Sequence, residues 1–176
     1  GAPPVVDLQH AFAAVAADTD NRVVILTGTG DEFNGPKGSP ETFPVATARG
    51  WEFSHWNVRK LLWNLLDIEC PMIAAINGPV WRHCETPLLC DIVLATPDTV
   101  FQDVPHQAFG IAPNDGIHLL WPEVIGSVRG RYFILTQQKR GAEEAKSLGV
   151  VNEIVAADKL LSRARELRRS WERLLA

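Results

Sequence analysis

Three short apolar runs limit what this chain can become: Arg22-Val-Val-Ile-Leu-Thr27, Pro71-Met-Ile-Ala-Ala-Ile76 and Asp91-Ile-Val-Leu-Ala95. None of them alternates with polar residues, as a strand with one wet face does. Continuous runs of this length, two of them rich in β-branched residues, mark strands covered on both faces, the habit of a parallel sheet. Between and around them apolar residues recur at helical spacing. Leu8, Phe12 and Val15 place a helix over 5–18, and Phe53, Trp56, Leu61, Leu62, Leu65 and Leu66 another over 51–68. The pattern continues with a short helix over 85–90, a strand over 99–102 and a loop to about 116. Helices follow over 117–124, 127–137 and 142–148, then a strand over 151–155 and a helix from Asp158 to the end. Strands alternating with helices in this way predict right-handed β-α-β units and an α/β fold. No linker or internal repeat divides the 176 residues, so a single domain over 1–176 is expected. A loop over 28–49, rich in Gly and Pro, is long enough to suggest a functional role.

The net charge of −4 argues against nucleic acid or an anionic membrane as partner, since both favour a basic face. The basic run Arg163, Arg165, Arg168, Arg169 reads as the solvated face of the last helix. No apolar stretch is long enough to span a bilayer, and the opening GAPPVV lacks the features of a secretory leader. Cys70, Cys84 and Cys90 form no CxxC pair, which fits reduced thiols in a cytoplasmic protein.

Four features could carry chemistry. Asn77-Gly-Pro-Val-Trp-Arg-His-Cys-Glu85 follows a buried strand; a turn that opens a helix offers free N–H groups and a positive dipole end to an oxyanion, and a plain structural turn would look the same. His106 follows Pro105 in a loop, where a surface histidine is the simpler reading. Asp115 lies in the turn Pro113-Asn-Asp-Gly116 and would serve equally as a helix cap. Nine residues separate it from His106, with Gly110 between them, so a chain reversal would bring the two together and let a carboxylate orient the imidazole. Among the tryptophans Trp51, Trp56, Trp63, Trp81 and Trp121, most are expected in the core or an interface, and one or two would suit a bulky apolar substrate.

Several stretches resemble the crotonase (enoyl-CoA hydratase/isomerase) superfamily. They are Arg22 to Gly30, Pro71 to Gly78, Cys90 to Ala95, Phe109-Gly-Ile-Ala-Pro113 and Ala142 to Asn152, in the order and spacing of that family. The resemblance implies a crotonase-like ββα superhelix core. It also implies strands before the first helix and helices beyond residue 176, so the sequence reads as truncated at both ends. Hydratases of the family use two glutamates. Glu85 falls at the first position, His106 occupies the second, and the turn Pro79 to Cys84 lacks the family's glycines.

Those replacements resemble the branch of 6-oxocamphor hydrolase and the β-diketone hydrolases. The shared motifs are Phe101-Gln-Asp-x-Pro-His106, Pro113-x-Asp115-Gly116, Trp121-Pro122 and Gly126-Ser-x-Arg-Gly-Arg-Tyr-Phe133. This resemblance implies retro-Claisen hydrolysis of a carbon–carbon bond in a cyclic or bicyclic β-diketone. His106 would be the general base, Asp115 its orienting partner, and His83 the residue that meets the enolate. Trp51 would line the pocket, N–H groups near Phe33, Asn34 and His83 would form the oxyanion site, and Glu85 would support it. The expected partner is a small-molecule diketone. No metal or cofactor is required, because the second carbonyl accepts the electrons. A homotrimer or hexamer follows if the family interface is present. An acyl-CoA hydratase or isomerase, and a catalytically inert fragment of the fold, are the alternatives.

Overall fold

The computed structural model describes residues 4–35, 47–108 and 110–174, the side chains of Pro4 and Ala108 excepted. Residues 36–46 of the expected long loop, including most of the glycine- and proline-rich stretch 34–40, lie outside the described residues.

Helix α1 (Pro4–Ala17) precedes strand β1 (Val24–Thr27); helix α2 (Ala48–Leu66) leads to β2 (Met72–Ile76), and β3 (Ile92–Ala95) follows. These strands, with β6 (Glu153–Ile154), form a four-stranded parallel sheet in the order β1-β2-β3-β6. All five residues of β2 are buried, and their side chains divide between two cores. Met72, Ala74 and Ile76 face α1 and α2, with Phe12, Leu61 and Leu65. Ile73 and Ala75 face the other way, against Leu94 and against Leu160 and Ala164 of α7 (Leu160–Leu174). A strand packed on both sides cannot alternate apolar with polar residues, which explains its uninterrupted sequence.

A second, two-stranded sheet pairs β4 (Val100–Phe101) antiparallel with β5 (Arg140–Gly141). Between them come α3 (Pro105–Ala108), α4 (Ile117–Ile125) and α5 (Ser127–Leu135), and α6 (Ala142–Ser147) follows β5. Two expectations are corrected here. The segment before residue 116 is not all loop, because Pro105 opens the one-turn helix α3, a position where proline's missing N–H costs nothing. The helix expected over 85–90 is a single 3₁₀ turn, Thr86–Leu89, too short to build an appreciable dipole.

The basic run lies on α7 as expected. Arg163 makes a bidentate pair with Glu153, at 2.8 Å for each bond, and reaches Glu166 at 2.7 Å. The three cysteines are free, and burial pushes the Cys84 and Cys90 thiols upward, Cys90 to about 12 with help from the Asp91 charge. Such thiols pack as small apolar groups and do not act as nucleophiles. No helix among the described residues is long and apolar enough to cross a membrane.

Candidate active site

The site forms beyond the carboxyl ends of the parallel strands, where open α/β sheets leave a crevice. β2 runs into Asn77-Gly78, and Asn77 ties this turn to the one after β1. Its side chain accepts from Gly28 N–H at 2.9 Å and donates to the Gly30 carbonyl at 2.8 Å. Gly78 is required by close approach, since a Cβ there would lie 2.1 Å from the Asp31 carbonyl oxygen. The chain then reaches His83, whose backbone sits in the left-handed region at φ 47°. For a non-glycine residue that conformation costs about 1–2 kcal/mol and is held by its surroundings. Trp121 provides part of the hold. Its fully buried indole donates to the Cys84 carbonyl at 3.2 Å while stacking on Phe133, with ring centroids 4.1 Å apart.

The reversal at Gly110 forms as anticipated. Gly110 adopts φ 65°, Ile111 N–H donates to the His106 carbonyl at 2.8 Å, and the chain returns Asp115 to the histidines. Asp115 does not cap α4. The N-cap is Gly116, at φ 95°, and Asp115 Oδ1 is buried without a hydrogen-bond partner among the described residues. Its other oxygen, Oδ2, lies 3.5 Å from His106 Nε2 and 3.6 Å from His83 Nδ1. One carboxylate therefore stands between two imidazoles.

The close contact expected between His106 and Asp115 is made instead with Asp103. Asp103, buried and three residues before His106, receives His106 Nδ1 at 2.8 and 2.9 Å. At 3.5 Å, Asp115 faces the other nitrogen beyond the length of a good direct hydrogen bond. The signal for Asp103 was the Asp-x-x-His spacing across the start of α3, inside a motif that drew attention to the histidine alone.

His83 Nδ1 meets Glu85 Oε1 at 2.9 Å, and the other Glu85 oxygen, fully buried, has no partner among the described residues. Burial acts to lower the His83 pKa, but the charge and hydrogen bond of Glu85 and the charge of Asp115 outweigh it and raise the imidazole to about 9. Burial and repulsion from Asp115 lift the Glu85 carboxyl to about 7, against the pull of His83. His106 is also raised. Burial opposes this, while the Asp103 hydrogen bond and the charges of Asp115, Asp103 and Glu85 drive it. Ligand atoms of His83, Glu85 and Asp115 lie within 4.8 Å of one another, close enough to take a divalent cation.

The expected oxyanion donors Phe33 and Asn34 are corrected. Both N–H groups point to the Pro79 carbonyl, at 3.0 and 3.4 Å, and Asn34 bridges to Val80. A donor already spent on a backbone carbonyl cannot serve a developing anion. The His83 N–H donates to no group among the described residues and remains available. Trp51, 39% exposed, lines a cavity of about 440 Å³ that closes on Asp115 and Gly116. The walls are α2 and the start of α4, mostly apolar.

Two imidazoles and three carboxylates thus gather beside an apolar cavity whose size suits a small molecule. The chain belongs to the enoyl-CoA hydratase/isomerase family of the crotonase superfamily, whose family model matches residues 4–174. It is similar to a β-diketone hydrolase of the cyanobacterium Anabaena sp. PCC 7120, solved with (S)-3-oxocyclohexyl acetic acid bound. Identity is 46% and the TM-score 0.90, over 95% of this chain and 67% of that one. An enoyl-CoA hydratase of Bacillus anthracis is 26% identical, with a TM-score of 0.83, over 96% of this chain and 65% of that one. Among curated sequences it is 32% identical to a probable peroxisomal enoyl-CoA hydratase 1 of Arabidopsis thaliana, over 93% of this chain and 60% of that protein. A short-chain-enoyl-CoA hydratase of Clostridium acetobutylicum is 29% identical, over 92% and 62%. The chain thus spans about 60% of the length of these curated relatives.

Proposed function

We propose that this protein hydrolyses a carbon–carbon bond in a cyclic or bicyclic β-diketone. The observation that carries this is the place of Asp115, within 3.6 Å of both His83 and His106 at the edge of the apolar cavity. Asp103 holds Nδ1 of His106, so Nε2 is the nitrogen left for proton transfer. His106 Nε2 takes a proton from water as the water oxygen bonds to one carbonyl carbon. The tetrahedral oxyanion then expels the carbon lying between the two carbonyls, and that bond's electron pair becomes the enolate of the second carbonyl. The His83 imidazolium, charged below about pH 9, stabilises the enolate oxygen, and the backbone N–H of the same residue serves the tetrahedral oxyanion. The proton that His106 took from water passes to the enolate carbon, which completes a keto acid and returns His106 to its neutral form. From a bicyclic diketone the product is a ring ketone with an acid arm, the type of molecule bound to the Anabaena hydrolase.

The test is incubation with a bicyclic β-diketone in ¹⁸O-labelled water. Keto acid carrying label in its carboxylate supports the reading, and near-wild-type turnover by His106→Ala refutes it.

One observation favours acyl-CoA chemistry: Glu85 is fully buried beside His83 with its pKa raised to about 7, poised to exchange a proton. His106 in place of a second glutamate opposes it. Calorimetric binding of a CoA ester but not of a diketone would select that reading.

A further inference from the structure

One stripe of α2 is unlike the rest of the cavity wall. Trp51, His55, Arg59 and Trp63 follow one another at intervals of four, so they share a helix face, and all four line the cavity that ends at Asp115. The Arg59 guanidinium lies 3.9 Å from the Trp63 ring centroid and 5.3 Å from that of Trp56. No carboxylate pairs with it among the described residues. A guanidinium held against indole faces keeps its donor fork in a restricted set of orientations and so loses less freedom on meeting a planar anion. Leu62, Leu119 and Leu120 supply apolar surface to the same cavity. Asp115 stands at the other end, its charge offset by the His83 imidazolium and by His106. Arg59 thus gives the α2 wall of the cavity a cationic pole of its own, where a ligand's anionic group can be held while its body lies against the leucines.

We propose that Arg59 is a carboxylate-binding residue of this cavity, which therefore takes ligands with an alicyclic body and a carboxylate directed away from Asp115. The inference rests on the reading of this cavity as the substrate site of a diketone hydrolase. The carboxylate has two possible sources: an acidic substituent on the substrate, or the acid formed by cleavage once the product has turned in the site.

Isothermal calorimetry at pH 7.5 with 3-oxocyclohexylacetate and its neutral methyl ester tests the site directly. The acid binds the unmodified protein about tenfold more tightly, the size of one hydrogen-bonded charge pair. Arg59→Gln removes that preference and leaves the ester unchanged, Arg59→Lys keeps part of it, and added salt weakens it. Equal binding of acid and ester, no binding of either, or an acid preference that survives in Arg59→Gln overturns the proposal. Kinetics separate the sources. If the substrate brings the acid, Arg59→Gln raises KM for a carboxymethyl-substituted diketone and not for a neutral one. If cleavage makes it, the variant relieves inhibition by the keto acid and leaves KM for the neutral diketone alone. An Arg59-dependent acid preference without turnover of any diketone keeps this anion site and removes the hydrolase reading.

Discussion

His106 Nδ1 lies 2.8 Å from an oxygen of Asp103, so the imidazole is fixed from within its own turn of chain and presents Nε2 to Asp115. The two aspartates thereby contact opposite nitrogens of one ring, Asp103 at Nδ1 and Asp115 at Nε2. Asp103→Asn should lower the His106 pKa toward the ordinary 6.5 and reduce turnover by roughly 10²–10⁴, in the range for a disturbed general base. Titration of the His106 ring by NMR, alongside steady-state rates, checks both parts. An unchanged pKa would return the orienting role to Asp115.

The rate should rise with pH. A base must be neutral to accept a proton, and the carboxylates around His106 raise its pKa above 6.5. The kcat/KM profile therefore climbs through a pKa above 6.5, and a profile that is flat from pH 6 to 9 removes His106 as the base.

Glu85 is the main reason His83 stays charged. In Glu85→Gln the His83 pKa should fall from about 9 toward 6.5, losing the charge and weakening the hydrogen bond while Asp115 remains. Turnover above neutral pH should fall with it, as the enolate loses its imidazolium. Imidazole titration by NMR in the variant reads the shift, and a His83 pKa still near 9 would assign the effect to Asp115.

The same cluster gives a metal prediction. Zinc should inhibit, and more strongly as pH rises, because it competes with protons for His83, Glu85 and Asp115. Protein dialysed against a chelator should keep full activity. Activity lost to the chelator and restored by a divalent ion would replace the acid–base reading with a metal one.

Trp121→Ala should destabilise the protein by about 3–5 kcal/mol, the usual cost of truncating a fully buried large aromatic. The Cys84 carbonyl also loses its donor. Denaturant unfolding measures the loss, and a value below about 1 kcal/mol would show that the pocket collapses around the missing ring.

The sheet was legible in the sequence because β2 and β3 are covered on both faces, which leaves continuous apolar runs; β1, the edge strand, was expected to be buried and is half-buried, though its residues still pack towards both cores. Helix α3 was not: four residues cannot show a period, and only Pro105 marks its start. Strand β5 is two residues, Arg140 and Gly141, paired by a tertiary partner with no pattern of its own. In the site, His83, His106 and Asp115 stood out through the resemblance to the β-diketone hydrolases, since the residues alone left a plain turn, a surface histidine and a helix cap open, and the structure brings the three together. Asp103 stood in the His106 motif with no role attached, because only the turn into α3 brings its carboxylate onto the ring. Phe33 and Asn34 were misassigned because the carbonyl that engages their N–H groups lies more than 40 residues away, at Pro79.

The α2 stripe and the core set the extremes of the protein's six indoles, with Trp81 and Trp171 half-buried between them. Trp51, Trp56 and Trp63 are 39%, 47% and 50% exposed, while Trp121 is sealed in the core. Emission from the first group comes from wet rings, two of them lining the cavity, and quenches or shifts when a ligand displaces that water. Emission from Trp121 changes only when the fold opens. With Trp81 and Trp171 replaced by Phe, occupancy and integrity can be read from one spectrum, without a label.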